Sequence, residues 1–129
     1  MRIQIKLAAL ALALVLAGCN TQPIQNVSQT AVTNAAGKPL TREQVRGAIV
    51  RAGGSLGWQM ADEGSERLVG TIQLRKHTAV IEIPYSSSGY NIKYRSSVNL
   101  DEMNGSIHKN YNGWIQNLHR GINAQLSAS

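Results

Sequence analysis

The sequence predicts an α+β fold, a two-layer sandwich in which a four-stranded antiparallel meander carries two helices on one face, in the order α-β-β-β-β-α. Apolar residues recur at helical intervals in two segments, one at each end of the folded part. Between these segments, apolar and polar residues alternate in four shorter runs, which is typical of half-buried strands. The folded part, residues 40–126, is long enough to form one small core without disulfides.

The N-terminal residues differ in composition from the rest of the chain. Two basic residues lie among the first six, and residues 7–15 are an unbroken run of Leu, Ala and Val. This run is shorter than the roughly 20 apolar residues that a membrane-spanning helix needs. A charged start followed by a short apolar run is typical of a secretory signal peptide.

Residues 16–19 read Leu-Ala-Gly-Cys and resemble the lipobox of bacterial lipoproteins, in which small residues precede a cysteine. The resemblance implies that residues 1–18 are a lipoprotein signal peptide and that Cys19 becomes the mature N terminus. Cys19 would then carry a thioether-linked diacylglycerol and usually an N-acyl chain such as palmitate. The alternatives are a secretory signal with a coincidental cysteine and a membrane-anchoring helix.

The single cysteine has no second thiol for a disulfide and no neighbouring ligands for a metal, so lipid attachment gives it a chemical role. Two or more acyl chains hold a protein stably on a membrane, whereas one chain is marginal. In the sorting rule of Gram-negative lipoproteins, Asp after the cysteine retains the protein in the inner membrane. Asn20 stands there, so the resemblance implies an outer-membrane location facing the periplasm.

The chain is basic, with 13 Lys and Arg against 7 Asp and Glu. Processing before Cys19 removes two basic and no acidic residues, which lowers the formal charge from +6 to +4. A basic chain often binds nucleic acid, but an envelope location excludes that partner. We expect anionic lipids, lipopolysaccharide phosphates or an acidic protein instead, or a surface charge that only confers solubility.

Residues 20–39 are small and polar, with no apolar periodicity. They predict a flexible tether between the lipidated N terminus and the domain. As a random coil, such a tether would span about 25 Å.

The first predicted helix begins after Thr41, which stands three residues before Gln44 in the spacing of a capping box. Glycines at 53–54 are expected to end it. Arg42 and Arg46 lie one turn apart on its polar side and are candidate contacts for anionic headgroups, or simply a solvated face. The apolar stripe of this helix consists of Val45, Ala48, Ile49 and Ala52.

Four strands follow, and their hairpins can be tested against each other. Pairing Arg75 with Thr78, and Tyr85 with Tyr90, places the apolar residues of both hairpins on the same face. The second pairing also sets Glu82 opposite Lys93, a favourable cross-strand charge pair. The predicted strands are residues 56–61, 68–75, 78–85 and 90–96.

Residues 107–126 return to helical spacing after a loop at residues 100–106. Residues 107–118 resemble a segment of small uncharacterised proteobacterial lipoproteins, and this resemblance implies no activity. The apolar stripe of the predicted helix consists of Ile107, Tyr111, Trp114, Ile115, Leu118, Ile122 and Leu126.

Asn110, Trp114 and Asn117 fall on one edge of this helix. An indole flanked by amides can stack on a sugar ring and bond its hydroxyls, so this edge is a candidate site for the glycans of peptidoglycan or lipopolysaccharide. The alternative is structural: Trp114 belongs to the core, Asn110 caps the helix and Asn117 bonds a nearby loop.

The sequence contains no catalytic constellation and predicts no metal and no cofactor. Residues 53–57 match G-x-S-x-G, but a nucleophile elbow needs a strand before a helix, and here the order is reversed. Asp101 or Glu102 could orient His108 as a base, although a loop acid and a helix-start histidine are the plainer interpretation. Zinc-ligand spacing is absent among the three histidines, His77, His108 and His119.

Two function classes remain. The favoured one is a non-enzymatic envelope lipoprotein that binds another protein through its polar sheet face or an exposed sheet edge. The alternative binds anionic lipid or glycan through the basic residues and the edge formed by Asn110, Trp114 and Asn117. An enzyme is a distant third.

Overall fold

A computed structural model describes residues 20–129, so the predicted signal peptide and Cys19 lie outside the described residues. The predicted α+β class is confirmed. The helices are α1 (Arg42–Ser55) and α2 (Lys109–Ser127). The strands are β1 (Thr21–Pro23), β2 (Val27–Gln29), β3 (Gln59–Asp62), β4 (Arg67–Leu74), β5 (His77–Pro84), β6 (Tyr90–Val98) and β7 (Ser106–His108).

The main sheet has five antiparallel strands in the order β2-β6-β5-β4-β3, and β1 and β7 form a separate two-stranded sheet. The expectation of a four-stranded meander is therefore too small. Strands β3 to β6 are neighbours in chain order, as expected, but β2 adds a fifth strand beside β6. The sequence gives little sign of β2 because it is only three residues long.

One core joins both helices to the apolar face of the sheet. The two helices also contact each other, so they form a single layer over the strands. The buried residues of this core include Val45, Ala48, Ile49, Leu68, Ile72, Ile81, Ile83, Ile92, Tyr111, Ile115, Leu118 and Ile122.

Helix α1 begins with the predicted capping box. The Thr41 hydroxyl accepts from the Gln44 backbone N–H at 3.1 Å, and the Gln44 side chain accepts from the Thr41 N–H at 2.8 Å. The helix does not end at its two glycines but continues to Ser55, and the chain turns at Gly57, whose φ is +91°. Gly53 instead allows a close approach of Met60, because a Cβ at residue 53 would lie 2.5 Å from the Cε of Met60 and would displace that side chain.

Helix α2 begins two residues later than predicted. Ile107 is buried in β7, and His108 is the N-cap, with Nδ1 accepting from the Asn110 N–H at 3.1 Å. A histidine ring nitrogen can replace the usual hydroxyl or carboxylate at this position because it also accepts a hydrogen bond.

The two hairpins differ in how well their registers were predicted. Tyr85 pairs with Tyr90 and Glu82 with Lys93, as expected. The expected pairing of Arg75 with Thr78 is wrong by two residues. Arg75 lies in the turn with a φ of +56°, and Leu74 pairs with His77. A shift of two residues preserves the faces, so Leu68, Ile72 and Ile81 are buried as expected. Leu74, expected in the core, lies beside the turn instead and is 44% exposed.

A β-bulge at residue 95 builds an ion cluster on the outer face of the sheet. Ile81 pairs with residue 94 and Val80 with residue 96, so Arg95 is the extra residue. Its guanidinium donates to Glu82 at 2.8 Å and to both carboxylate oxygens of Glu63 at 2.7 and 2.8 Å. The expected charge pair between Glu82 and Lys93 forms no salt bridge within residues 20–129, because the Glu82 carboxylate pairs with Arg95 and Arg67 instead. We call Glu63, Arg67, Glu82 and Arg95 the outer ion cluster.

The prediction of a flexible tether over residues 20–39 is wrong. Strand β1 pairs with β7, β2 pairs with β6, and the first described residue is already held, since the Lys109 N–H donates to the Asn20 carbonyl at 3.0 Å. Val32 and Leu40 are buried in the core. The segment lacks apolar periodicity because single apolar residues insert into the domain one at a time, between polar residues that pair with existing strands.

A buried amide fixes this segment to α2. The Asn112 Oδ1 accepts from the Gln25 N–H at 3.0 Å, and its Nδ2 donates to the Pro23 carbonyl at 3.0 Å. Among residues 20–129, Asn112 is the one polar residue that is buried, with 1% of its surface exposed. Such a satisfied amide specifies where the N-terminal segment docks.

Candidate functional site

The predicted edge of α2 lines an open groove. Asn110, Trp114 and Asn117 face it together, so the structure brings these three predicted site residues to one place. We call this cavity, of ≈ 450 Å³, the Trp114 groove. Its remaining lining residues are Gln22, Lys109, Asn112, Gly113 and Gln116.

The side-chain amides of the Trp114 groove differ in the number of hydrogen bonds that they make within the chain. The Asn110 side chain makes no hydrogen bond within residues 20–129, whereas Asn117 Oδ1 accepts from Arg120 at 2.6 Å. The Gln116 amide donates to the Gln25 side chain at 3.1 Å. Asn112 is fully engaged and is a structural support. The groove therefore offers amide donors and acceptors together with an indole.

The structural alternative for this edge is only partly correct. Trp114 is half-buried and packs against the core, so it belongs to both the core and the surface. Asn110 is not the cap of α2, since His108 has that role, and the bond of Asn117 is to Arg120 on the same helix rather than to a loop.

A small apolar cavity of ≈ 60 Å³ lies on the other side of Trp114. Leu56 and Leu74 line it with 40% and 44% of their surface exposed, so two large apolar side chains are exposed at one place. We call it the leucine notch; it is lined by Leu56, Trp58, Ile72, Leu74, Trp114 and Asn117. The sequence did not identify this notch, because its leucines come from distant segments.

The other two candidate binding residues are engaged within the chain. Arg46 donates two hydrogen bonds to Asp62 at 2.7 and 2.9 Å; this contact raises the pKa of Arg46 and lowers the pKa of Asp62. The Arg42 guanidinium lies over the Tyr85 ring, 5.1 Å from its centroid. Neither arginine lines the Trp114 groove.

Each histidine makes a hydrogen bond to a structural partner. His77 Nδ1 lies 2.7 Å from the Asn99 carbonyl, and His119 Nδ1 lies 2.9 Å from the hydroxyl of Tyr90, whose pKa is raised by burial. His108 caps α2, and no hydrogen bond joins it to Asp101 or Glu102, which are exposed.

Ser55 of the G-x-S-x-G match is the last residue of α1 and donates to the Arg51 carbonyl at 3.0 Å. Its helix precedes a strand, which is the reverse of a nucleophile elbow. Across residues 20–129, no three His, Cys, Asp or Glu side chains lie close enough to hold a metal ion.

A second feature is the incompletely paired edge of β6. Strand β2 covers this edge only at residues 90–92, and next to it the Tyr94 N–H donates to the side chain of Asn26 at 3.1 Å instead of to a strand. An open hollow of ≈ 570 Å³, which we call the edge hollow, lies there. It is lined by Ile24, Asn26, Val27, Ser28, Asn91, Lys93, Tyr94 and Gly105.

Comparisons with protein-family models, with curated proteins and with solved structures find no match to this chain. The candidate sites therefore depend on the geometry of the chain itself. Neither helix of the described part has the length and apolarity needed to cross a membrane.

Proposed function

We propose that the chain is a lipid-anchored protein of the bacterial envelope, on the outer membrane and facing the periplasm, whose domain binds another protein without catalysing a reaction. The single observation that carries the binding role is the open edge of β6 beside the edge hollow. The lipid anchor is supported separately, by the lipobox at residues 16–19.

The β6 edge suits the addition of a strand from a partner. Backbone groups at residues 93–98 have no neighbouring strand on the β2 side within the described chain, and Asn26 supplies a side-chain acceptor where a strand would continue. An added strand gains affinity from main-chain hydrogen bonds and specificity from pockets for alternate side chains. The edge hollow offers such a pocket, and Lys93 in its lining favours an acidic partner.

A binding role also agrees with the use of the titratable groups. All three histidines form hydrogen bonds that support turns, a helix cap or the packing of α2 on Tyr90. A catalytic base is instead expected in a cleft beside the group that orients it.

The anchor is tested by intact-mass analysis of the protein purified from its native bacterium. We expect the mass of the chain from Cys19 plus diacylglycerol and acyl groups, and we expect Cys19→Ser to move the protein to the soluble fraction. An unmodified cysteine in the membrane-bound protein would contradict the anchor.

The β6 edge is tested by photo-crosslinking in intact cells, with the crosslinker at Lys93 and, as a matched control, at the exposed Lys38. We expect a partner to be captured from position 93 only. Binding of that purified partner should slow amide hydrogen exchange at residues 94–98. Protection of Asn110 to Asn117 with an unchanged β6 edge would instead place the protein contact in the Trp114 groove and contradict the proposed strand addition.

The second candidate function is binding of an anionic lipid or a glycan in the Trp114 groove. The observation that favours it is the convergence of Asn110, Trp114 and Asn117 on that groove. Tryptophan fluorescence tests it with peptidoglycan fragments and lipopolysaccharide, since Trp58 is buried and Trp114 is accessible. Charge-led binding of lipid phosphates should weaken as salt rises, whereas stacking on a neutral sugar should not.

A further inference from the structure

The Trp114 groove lies immediately beside the point where the chain would be anchored. Lys109, which lines the groove, donates its N–H to the carbonyl of Asn20. Gln22 lines the same groove, and at no more than about 3.6 Å per residue it lies within about 11 Å of Cys19 along the chain. Residues 20–23 are held in place by α2 and β7, so no flexible segment lies between the groove and Asn20, the residue that follows Cys19.

The surface on both sides of Trp114 has the composition of a membrane-contact surface. The leucine notch exposes two large aliphatic side chains, and Trp114 stands between the notch and the amide-lined groove. Tryptophan is enriched where apolar and hydrated surroundings meet, because its ring is apolar and its N–H needs a partner.

The charge of this surface is positive. Among the described residues that line the groove and the notch, Lys109 is charged and none is acidic. Arg120 adjoins them through its hydrogen bond to Asn117 and forms no salt bridge within residues 20–129. Cations without acidic partners favour a surface of anionic phospholipid headgroups.

We propose that the Trp114 groove and the leucine notch together lie against the anionic headgroup layer of the membrane that holds the lipid on Cys19. This surface rests on the lipid anchor of the proposed function. The lipid fixes one point, and Trp114 with the two leucines fixes the orientation of the domain. A glycan would use the indole and amides but gives no reason for exposed leucines beside them, so the lipid surface accounts for more of the geometry.

The surface is tested on the chain that begins at Cys19, which contains every described element. Its single thiol is coupled to maleimide lipids in vesicles that contain phosphatidylglycerol, so the test does not depend on lipidation by the bacterium. Nitroxide groups placed near the headgroups should quench Trp114. The variant Trp114→Phe, which retains only buried Trp58, should lose this quenching.

Two further variants separate the membrane surface from the rest of the domain. Replacing Leu56 and Leu74 together by Ser should reduce the quenching, with folding checked by thermal unfolding. Moving the probe to the outer face, as Thr71→Trp in the Trp114→Phe background, should leave it unquenched. Equal quenching of both probe positions would overturn the proposed orientation.

The uncoupled chain gives a measure of the charge contribution. Lys109→Gln should weaken binding to phosphatidylglycerol vesicles about fivefold, the effect expected for one basic residue at an anionic surface. Lys38→Gln is the matched control. Lys109 is the first residue of α2, whereas the segment that carries Lys38 lies at the other end of that helix, where the Ala35 N–H donates to the Ser127 carbonyl. An equal effect of the two variants would overturn the specific role of Lys109.

The outcomes distinguish this inference from the proposed anchor. Quenching in the chemically coupled chain supports the membrane surface even if native Cys19 proves unmodified, in which case only the anchor fails. Absent quenching, together with a response of Trp114 to soluble peptidoglycan fragments, would overturn the membrane surface in favour of a glycan site.

Discussion

The outer face of the sheet and the Trp114 edge of α2 are both polar, but they use their polar groups differently. On the outer face, Arg95 is held by two carboxylates, and the hydrogen bonds that it donates lower the pKa of Glu63. On the helix edge, the cations of Lys109 and Arg120 have no carboxylate partner within residues 20–129. Charges paired inside the chain offer little to a ligand. Lys109 and Arg120 on the helix edge therefore remain available to an anionic partner, whereas Arg95 does not.

The largest effect should separate the two tryptophans. Trp58→Ala removes a side chain that is 3% exposed and should cost about 3 to 5 kcal/mol of unfolding free energy. Trp114→Ala removes a half-buried ring and should cost about 2 kcal/mol, because part of the ring is already hydrated. Urea unfolding measures both, and equal costs would place Trp114 in the core and weaken its role as a contact surface.

The buried amide of Asn112 should stabilise the docking of the N-terminal segment on the helix edge. Asn112→Ala leaves the Gln25 N–H and the Pro23 carbonyl without partners, so it should cost about 2 to 3 kcal/mol and accelerate hydrogen exchange at Gln25. Gln116→Ala, at an exposed position with one side-chain hydrogen bond, is the control and should change stability little. Unchanged exchange at Gln25 in the first variant would show that other contacts fix the N-terminal segment.

The outer face should lose stability when its central cation is removed. Arg95→Gln breaks the contacts to Glu63 and Glu82 and should lower the urea midpoint, by less than either change above because these groups are partly exposed. Lys93→Gln, two residues away on the same strand, forms no salt bridge and should leave the midpoint unchanged. Equal midpoints for the two variants would assign no stability to the outer ion cluster.

The smallest expected effect is a loss of folding stability at acidic pH. Hydrogen bonds from Arg46 and Arg95 lower the pKa of Asp62 and Glu63 in the folded chain. Their contribution to stability is therefore complete above the ordinary carboxyl pKa values and is lost as pH falls through the lowered ones. Unfolding at neutral and acidic pH should show this loss, and the double variant Asp62→Asn, Glu63→Gln should reduce the pH dependence. An unchanged pH dependence would contradict it.

Local patterns predicted the parts of the fold whose causes are local. The capping box at Thr41 needs only two residues three apart, and the second hairpin has a turn that places Glu82 opposite Lys93. The first hairpin was missed by two residues because its turn places Arg75 at a φ of +56° without a glycine to mark it. Alternation defines the face of each residue but not the position of the turn.

The N-terminal segment could not be predicted because its causes are distant in the chain. Residues 21–23 and 27–29 become strands only by pairing with β7 and β6, and the amide that fixes the segment between them belongs to Asn112. The candidate site divides in the same way. Helical periodicity alone placed Trp114 and its two asparagines on one edge, whereas Gln22 and Leu74 reach that edge only through tertiary packing.

If Cys19 is lipidated, the hydrogen bond between Lys109 and Asn20 limits how far the domain can extend from the membrane. A domain of this size has a radius of gyration of about 13 Å, so without a spacer its far side would stand only some 30 Å from the lipid. Any protein that it recognises would have to approach the bilayer closely or be embedded in it. Lengthening the chain after Cys19 with a Gly-Ser insert would extend that range and disclose whether proximity is part of the biology.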